Sequence, residues 1–224
     1  MEEPELIITS DGSHSLFMRE MNENYHSVNG ALTESKHVYL EQGYRFLGKR
    51  DNITVVEMGF GTGLNCLLTA LDADITHIPT KYYAIEKYPI SKKLFQSLNY
   101  PHLLGGKSGE IFSRIHATPW ETVVKISPWF NLVKMNRDLL AHPLEGISEI
   151  DLVYFDAFGP DKQSGIWNTD LYADLFQRMN PGGIFVTYSA KGSVRRDLSG
   201  AGFIMERLPG AAGKREMLRG SKSK

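Results

Sequence analysis

Cysteine is almost missing from this sequence. Cys66 stands alone among 224 residues, so no disulfide can close within the chain, and no Cys/His pair has the spacing of a zinc ligand set. Long apolar runs are missing too. No stretch approaches the ~18 residues of a membrane-crossing helix, and residues 1–12 (MEEPELIITSDG) lack the basic start and apolar centre of a signal peptide. Excess charge of either sign is absent, with 25 Lys and Arg against 26 Asp and Glu. Nor is there an internal repeat, a low-complexity tract or a Pro/Gly/Ser linker. With 42% apolar and 23% charged residues, a chain of this length buries a large core without staples. The expectation is a cytoplasmic, soluble protein forming one domain over residues 1–224.

What is present is alternation. Runs rich in β-branched and aromatic residues recur at 53–58 (ITVVEM), 81–86 (KYYAIE), 130–135 (FNLVKM), 150–155 (IDLVYF) and 184–189 (IFVTYS). They are too short for helices and read as buried parallel strands. Helical spacing separates them at 64–73, 91–98 and 169–179, and Pro181-Gly182-Gly183 supplies a sharp stop and turn. Strands alternating with helices predict an α/β fold, a Rossmann-like, mainly parallel sheet of seven strands. The stretches 203–208 and 216–219 close it as a terminal hairpin. Residues 1–50 differ: a small hairpin turning at Asp11-Gly12, then a helix over 31–47, form an N-terminal β/α cap on the core of 51–224.

Ligands of open parallel sheets bind beyond the carboxyl ends of the strands, so the residues following each strand are the candidates. The first strand runs into Glu57-Met58-Gly59-Phe60-Gly61-Thr62-Gly63-Leu64-Asn65. The glycines let backbone approach a ligand, and the next helix offers free N–H groups. A dinucleotide fingerprint would need glycine at Leu64; the E-x-G-x-G-x-G form resembles motif I of class I S-adenosylmethionine (SAM) methyltransferases. Glu86, closing the second strand, is placed to grip ribose hydroxyls, with Lys87 beside it. Asp138 follows the third strand, where such enzymes commonly accept the adenine amino group. After the fourth comes Asp156-Ala157-Phe158-Gly159-Pro160-Asp161-Lys162, ending in Trp167. An acid closing a buried apolar strand needs a cation or donors, which a SAM ammonium or a substrate amine would supply, and Phe158 and Trp167 offer π faces for a base or a cation.

Charge is uneven along the chain. Residues 1–35 carry seven acids against Arg19, a net of −6, while residues 191–224 carry nine bases against three acids, a net of +6. That asymmetry suggests a nucleic-acid-facing surface built from Lys191, Arg195, Arg196, Lys214 and Arg215, or else a solvated basic tail.

Several segments together carry a family resemblance. These are Tyr25-His26-Ser27 with Glu34-Ser35, Gly59–Asn65, the Phe155–Trp167 stretch, Val194-Arg195-Arg196 and Lys214-Arg215-Glu216-Met217. In that order they resemble the methyltransferase half of the bacterial enzyme making 5-methylaminomethyl-2-thiouridine in tRNA, over about residues 8–220. The resemblance implies SAM as cofactor and N-methylation of 5-aminomethyl(-2-thio)uridine at the tRNA wobble position. It implies that the segment of His26, Ser27 and Glu34 folds over the cofactor, with Glu34 near the reacting centre. Asp156 would accept or orient the amine proton. With no room for the family's flavin-dependent oxidase half, the chain resembles the standalone form, which relies on a separate FAD-dependent oxidase acting on the same tRNA. Gly159, where alanine is expected, and Ser164-Gly165, where proline is more usual, depart from the pattern. Two other readings use the same acids: a methyltransferase or aminopropyltransferase for a small amine, and a non-catalytic SAM- or tRNA-binding module.

Overall fold

The computed structural model describes residues 3–141, 144–211 and 213–224. Eleven strands lie among them. Strands β1 (Glu5–Ile8), β2 (His14–Met18) and β3 (Glu23–Asn24) form a small antiparallel sheet, and the expected hairpin turns at Gly12, whose φ is +80°. Asp11 ties this cap to the following helix by accepting from Ser13 and from both the N–H and the hydroxyl of Thr33. That helix begins as α1 (Ala31–Glu34) and continues as a π-helical run, Ser35–Tyr44. Gly43 lets the run press onto the sheet, because a Cβ there would stand 3.0 Å from the Tyr154 ring and 3.2 Å from Val186.

The main sheet contains β4 (Ile53–Met58), β5 (Thr80–Ile85), β6 (Val123–Ser127), β7 (Phe130–Met135), β8 (Ile150–Phe155), β9 (Met179–Thr187), β10 (Ile204–Pro209) and β11 (Glu216–Ser221). Their order is β10-β11-β9-β8-β4-β5-β7-β6. The five central strands run parallel, while β6, β11 and β10 join antiparallel at the edges. The sheet thus has eight strands rather than seven. The extra one, β6, reads VVKIS, and it is a half-exposed edge strand whose pattern is weaker than that of its buried neighbours.

Alternation along each strand divides the core in two. Val55, Tyr82, Leu132 and Tyr154 face the side covered by the π-helical run, α2 (Leu64–Thr76) and α5 (Ser108–Ala117). Val56, Tyr83, Val133, Val153 and Phe155 face α6 (Thr169–Arg178) and α7 (Gly192–Gly200). Short helices α3 (Lys92–Ser97) and α4 (Tyr100–Leu104) lead into α5. The Pro181-Gly182-Gly183 segment is not a free turn but an irregularity inside β9, where the register against β8 shifts. A Cβ on Gly183 would meet the carbonyls of Asn180 and Ile150 at 2.9 and 3.2 Å. Among the described residues no helix is long and apolar enough to cross a membrane.

Candidate active site

Strand β4 sends the chain one way to β5, and β8 lies on its other side, so the order reverses between β4 and β8. A cavity of about 490 Å³ opens there, within the roughly 300–1,000 Å³ of small-molecule sites. The glycine loop forms one wall. Gly59, Gly61 and Gly63 have φ of +93°, +50° and +76°, a region that side chains rarely adopt. Their close neighbours are protein atoms. A Cβ on Gly59 would stand 2.8 Å from the Asp156 carbonyl oxygen, one on Gly61 3.1 Å from the Tyr25 ring, and one on Gly63 2.8 Å from Phe60. The glycines therefore let β4, β8 and the cap converge, and Gly59 and Gly61 line the cavity as a result.

Asp156 follows β8, and its N–H donates to the Met58 carbonyl at 3.0 Å. Both carboxylate oxygens are held. The Tyr39 hydroxyl donates to Oδ1 at 2.5 Å and the Asn65 amide to Oδ2 at 2.7 Å. Burial raises the Asp156 carboxyl, the nearby Glu34 charge adds to this, and the two hydrogen bonds and the Lys214 charge oppose it; the result is a pKa of about 7. The group exchanges protons near neutrality.

Glu34 also lines the cavity, but both its oxygens are engaged. Oε2 accepts the Ser27 N–H at 2.8 Å and Oε1 the Lys214 ammonium at 2.5 Å. Lys214 lies 4.2 Å above the Tyr188 ring, whose hydroxyl donates to the Ala157 carbonyl at 3.0 Å. His26 is buried between Ser15 (2.9 Å) and Thr62 (3.5 Å) and borders the cavity. Burial pushes its imidazole down to about 4, so it is neutral at pH 7. Phe158 meets the Tyr25 ring edge-on at 5.0 Å, and both face the cavity.

At the far wall, Glu86 caps β5. Its oxygens accept the N–H groups of Gly61 at 3.0 Å and Tyr88 at 2.8 Å, and burial raises its carboxyl. Asp138 pairs with Lys87 at 2.6 Å and accepts the Leu140 N–H; the Lys87 bond holds its carboxyl below the ordinary range. Ile85, Leu139, Leu140 and Ile166 supply apolar surface between these acids.

Several expected site residues stand elsewhere. Glu57 is fully buried behind the site, its carboxyl pushed well up by burial and its Oε1 bonded by Asn65. Asn65, expected at the cofactor, instead bridges Glu57 and Asp156. Met58, Phe60 and Thr62 are core residues, and Phe60 packs against His116 and Trp120. Gly63 caps α2. Trp167 offers no free π face: it packs on Phe155 at 4.8 Å, and its indole N–H donates to the Phe158 carbonyl. Lys162 donates to the Met21 carbonyl, strapping the cap to the loop that carries Pro160. Neither Pro160 nor Lys162 is among the cavity-lining residues.

The basic C-terminal residues are brought to the right end but are partly neutralised. Leu218 pairs with Thr187, the last residue of β9, so Lys214 and Arg215 lie beside the carboxyl end of β9, where α7 also starts. Lys191, however, pairs with Asp161, Lys214 with Glu34, Arg207 with Glu216 and Arg219 with Glu206. Arg196 and Arg215 are exposed, while Arg195 is half-buried with its Nε enclosed. Residues not assigned to the site from the sequence are Tyr39, Tyr25, Tyr188 and Gln163; Tyr25 and Gln163 stand inside the segments that carry the resemblance and Tyr188 inside a strand run, whereas Tyr39 stands in none of these.

A family model described as S-adenosyl-L-methionine-dependent methyltransferase matches residues 124–223. The bifunctional tRNA 5-methylaminomethyl-2-thiouridine biosynthesis protein MnmC of Pseudomonas fluorescens is 32% identical over 215 residues, covering 90% of this chain and 32% of its own. The protein of the same name from Aeromonas hydrophila is 30% identical over 230 residues, covering 91% and 33%. The chain thus spans about a third of the length of these relatives. Among solved structures, MnmC2 from Aquifex aeolicus superposes with a TM-score of 0.82 at 24% identity, over 100% of this chain and 72% of that one. The CurJ carbon methyltransferase follows at 0.50 and 14% identity, over 89% and 57%. The fold is that of class I SAM methyltransferases.

Proposed function

From the premise that this chain belongs to the methyltransferase family of the 5-methylaminomethyl-2-thiouridine biosynthesis proteins, we propose that it N-methylates 5-aminomethyl(-2-thio)uridine at the wobble position of tRNA. One observation carries this reading: a carboxylate, Asp156, fixed by two donors at the reversal point of the sheet and poised to exchange protons near neutrality. The residues present fit SAM. Glu86 and Asp138 both line the cavity and keep acceptor capacity beyond the donors they already hold, Glu86 for ribose hydroxyls and Asp138 for an amino group, and Ile85, Leu139 and Leu140 provide apolar contact. Bound there, SAM supplies a methyl group activated on a sulfonium.

An alkylamine is mostly protonated at pH 7 and must shed a proton to expose its lone pair. Asp156 takes that proton and orients the nitrogen, so catalysis here is largely placement. Glu34, paired with Lys214, acts through its charge on Asp156 rather than as a second base. Phe158 and Tyr25 receive a base splayed out of the RNA, as single-stranded recognition generally requires; Trp167 takes no part. In this reading the chain acts in the cytoplasm, on tRNA whose aminomethyl group is made by an FAD-dependent oxidase.

The test is incubation with labelled SAM and bulk tRNA from cells lacking the modification, against free polyamines, followed by mass spectrometry of the nucleosides. A methylaminomethyluridine product is expected; label entering only the polyamines would replace this reading with the small-amine one. Within the same assay, Glu86→Ala is expected to weaken SAM binding roughly ten- to hundred-fold, about 1.5–3 kcal/mol for charge-assisted hydrogen bonds. Calorimetry on the folded variant checks this, and unchanged affinity removes Glu86 from the site.

RNA affinity should fall steeply with salt. Replacing Arg196 and Arg215, the exposed bases at the cavity end, by alanine is expected to flatten the log–log slope by about one unit per lost contact while SAM affinity stays constant. An unchanged slope places the RNA on another surface.

A further inference from the structure

Glu34, Tyr39 and Tyr44 are spaced five apart. On an α-helix successive members would point roughly 140° away from each other. In a π-helix, where the N–H of residue i+5 bonds to residue i, they share one face. The run Ser35–Tyr44 has that geometry, and it closes with the Arg45 N–H on the Leu40 carbonyl. π-helical turns mostly occur singly and often mark functional sites; this one extends over ten residues. All three side chains are buried against the sheet. Glu34 meets Lys214, Tyr39 meets Asp156, and Tyr44 meets Thr80 at 2.6 Å.

We propose that Tyr39 is a positioning residue for the methyl transfer, its hydroxyl acting with Asn65 to hold the Asp156 carboxylate in one orientation with its remaining lone pairs toward the substrate amine. The inference rests on the function proposed above. Each carboxylate oxygen has two lone pairs and receives one donor, Tyr39 at Oδ1 and Asn65 at Oδ2. One lone pair on each is thereby left for the proton of the incoming amine. Tyr39 remains a donor throughout, because burial and the neighbouring Asp156 push its phenol well above the ordinary range. Its ring is held by Tyr154, with centroids 5.2 Å apart, so the hydroxyl cannot swing away without disturbing the core.

The groups around Asp156 have opposing effects. Tyr39 and Asn65 favour its charged form through hydrogen bonds and Lys214 through its charge, while Glu34 disfavours it. Burial pushes the carboxyl of Glu57, behind Asn65, well above the ordinary range, and Tyr188 stays protonated. Removing only the Tyr39 hydroxyl therefore raises the Asp156 titration point above its present value of about 7.

The experiment is Tyr39→Phe in the full chain, which keeps the ring and its packing; thermal melting verifies the fold. Carbon-13 NMR of labelled aspartate follows Asp156 in protein free of tRNA. The expected midpoint is higher by about one pH unit in Tyr39→Phe, the size of one lost charge-assisted bond. Single-turnover methylation should fall at least about five-fold at pH 7, and a several-fold loss should persist at pH 9.5, where Asp156 is ionised in both proteins and only its orientation differs. An unmoved midpoint overturns the proposal and leaves Tyr39 a packing residue. A rate that returns to the wild-type value at pH 9.5 overturns it too, since the hydroxyl would then set only the protonation of Asp156 and not its orientation. Since the titration needs no RNA, it decides whether the Tyr39 hydroxyl holds Asp156 even if wild-type protein fails to methylate tRNA, a result that would instead overturn the proposed function.

Discussion

Asp156→Ala is expected to lower single-turnover methyl transfer by about 10²–10⁴-fold, the usual contribution of a placed acid–base group, in a protein that remains folded. Asp156→Asn should be impaired to a similar degree, since an amide can neither take the amine proton nor balance its charge. The asparagine variant carries a second, independent signature. The Asp156 carboxyl titrates near 7 in the folded chain, against 3.8 ordinarily. Between those values the folded state binds the extra proton, so this group's contribution to stability is full below about pH 4 and is lost as pH rises through 7. Asp156→Asn should therefore show a smaller fall in Tm between pH 5 and pH 8 than the wild-type protein. Turnover near the wild-type rate in either variant would deny the carboxylate a part in the reaction, and an unchanged pH dependence of Tm would deny its raised titration point.

Gly59→Ala is expected to cost about 2–4 kcal/mol of folding stability, the range of strained or overpacked backbone positions. Its φ of +93° disfavours any side chain, and the new Cβ would stand 2.8 Å from the Asp156 carbonyl oxygen and 3.2 Å from its carbonyl carbon. Neither wall can give, because Met58 and Phe155 are paired in adjacent parallel strands. Activity should fall as well, since the displaced residue is Asp156 itself. Gly12→Ala is the control. Gly12 shares a positive φ of +80° but has nothing within 4 Å of a built Cβ, so only conformational strain of about 1–2 kcal/mol remains. Urea denaturation of the two variants separates strain from clash, and equal losses would show that the approach of β4 to β8 imposes no constraint.

Much of the site could be read before the fold was known. Glu86, Asp138 and Asp156 follow strands recognisable from short β-branched and aromatic runs, and the strand ends of an open parallel sheet are where ligands collect. Gly59, Gly61 and Gly63 were recognisable as loop glycines, yet the reason for them was not. Sequence reading assigned them to a ligand's approach, whereas their Cβ positions are blocked by Asp156, Tyr25 and Phe60. Trp167 looked like a stacking face because aromatic rings suit both a base and a core; its indole N–H on Phe158 decides for the core. The basic C-terminal stretch was countable, but the count could not anticipate partners as distant as Glu34, which lies 180 residues from Lys214.

The sequence by itself determined the alternation of strands and helices, the glycine loop and the acids at the strand ends, because those are local properties: side-chain periodicity, backbone freedom and position after a strand. Only the tertiary structure decided which of those acids share a cavity, which charges are already paired, and that Tyr39 and Asn65 hold Asp156. Those facts depend on contacts between residues 91 and 117 positions apart and on a π-helical register that turns every fifth residue inward. No local pattern encodes them, since spacing read at 3.6 residues per turn puts the same side chains on different faces.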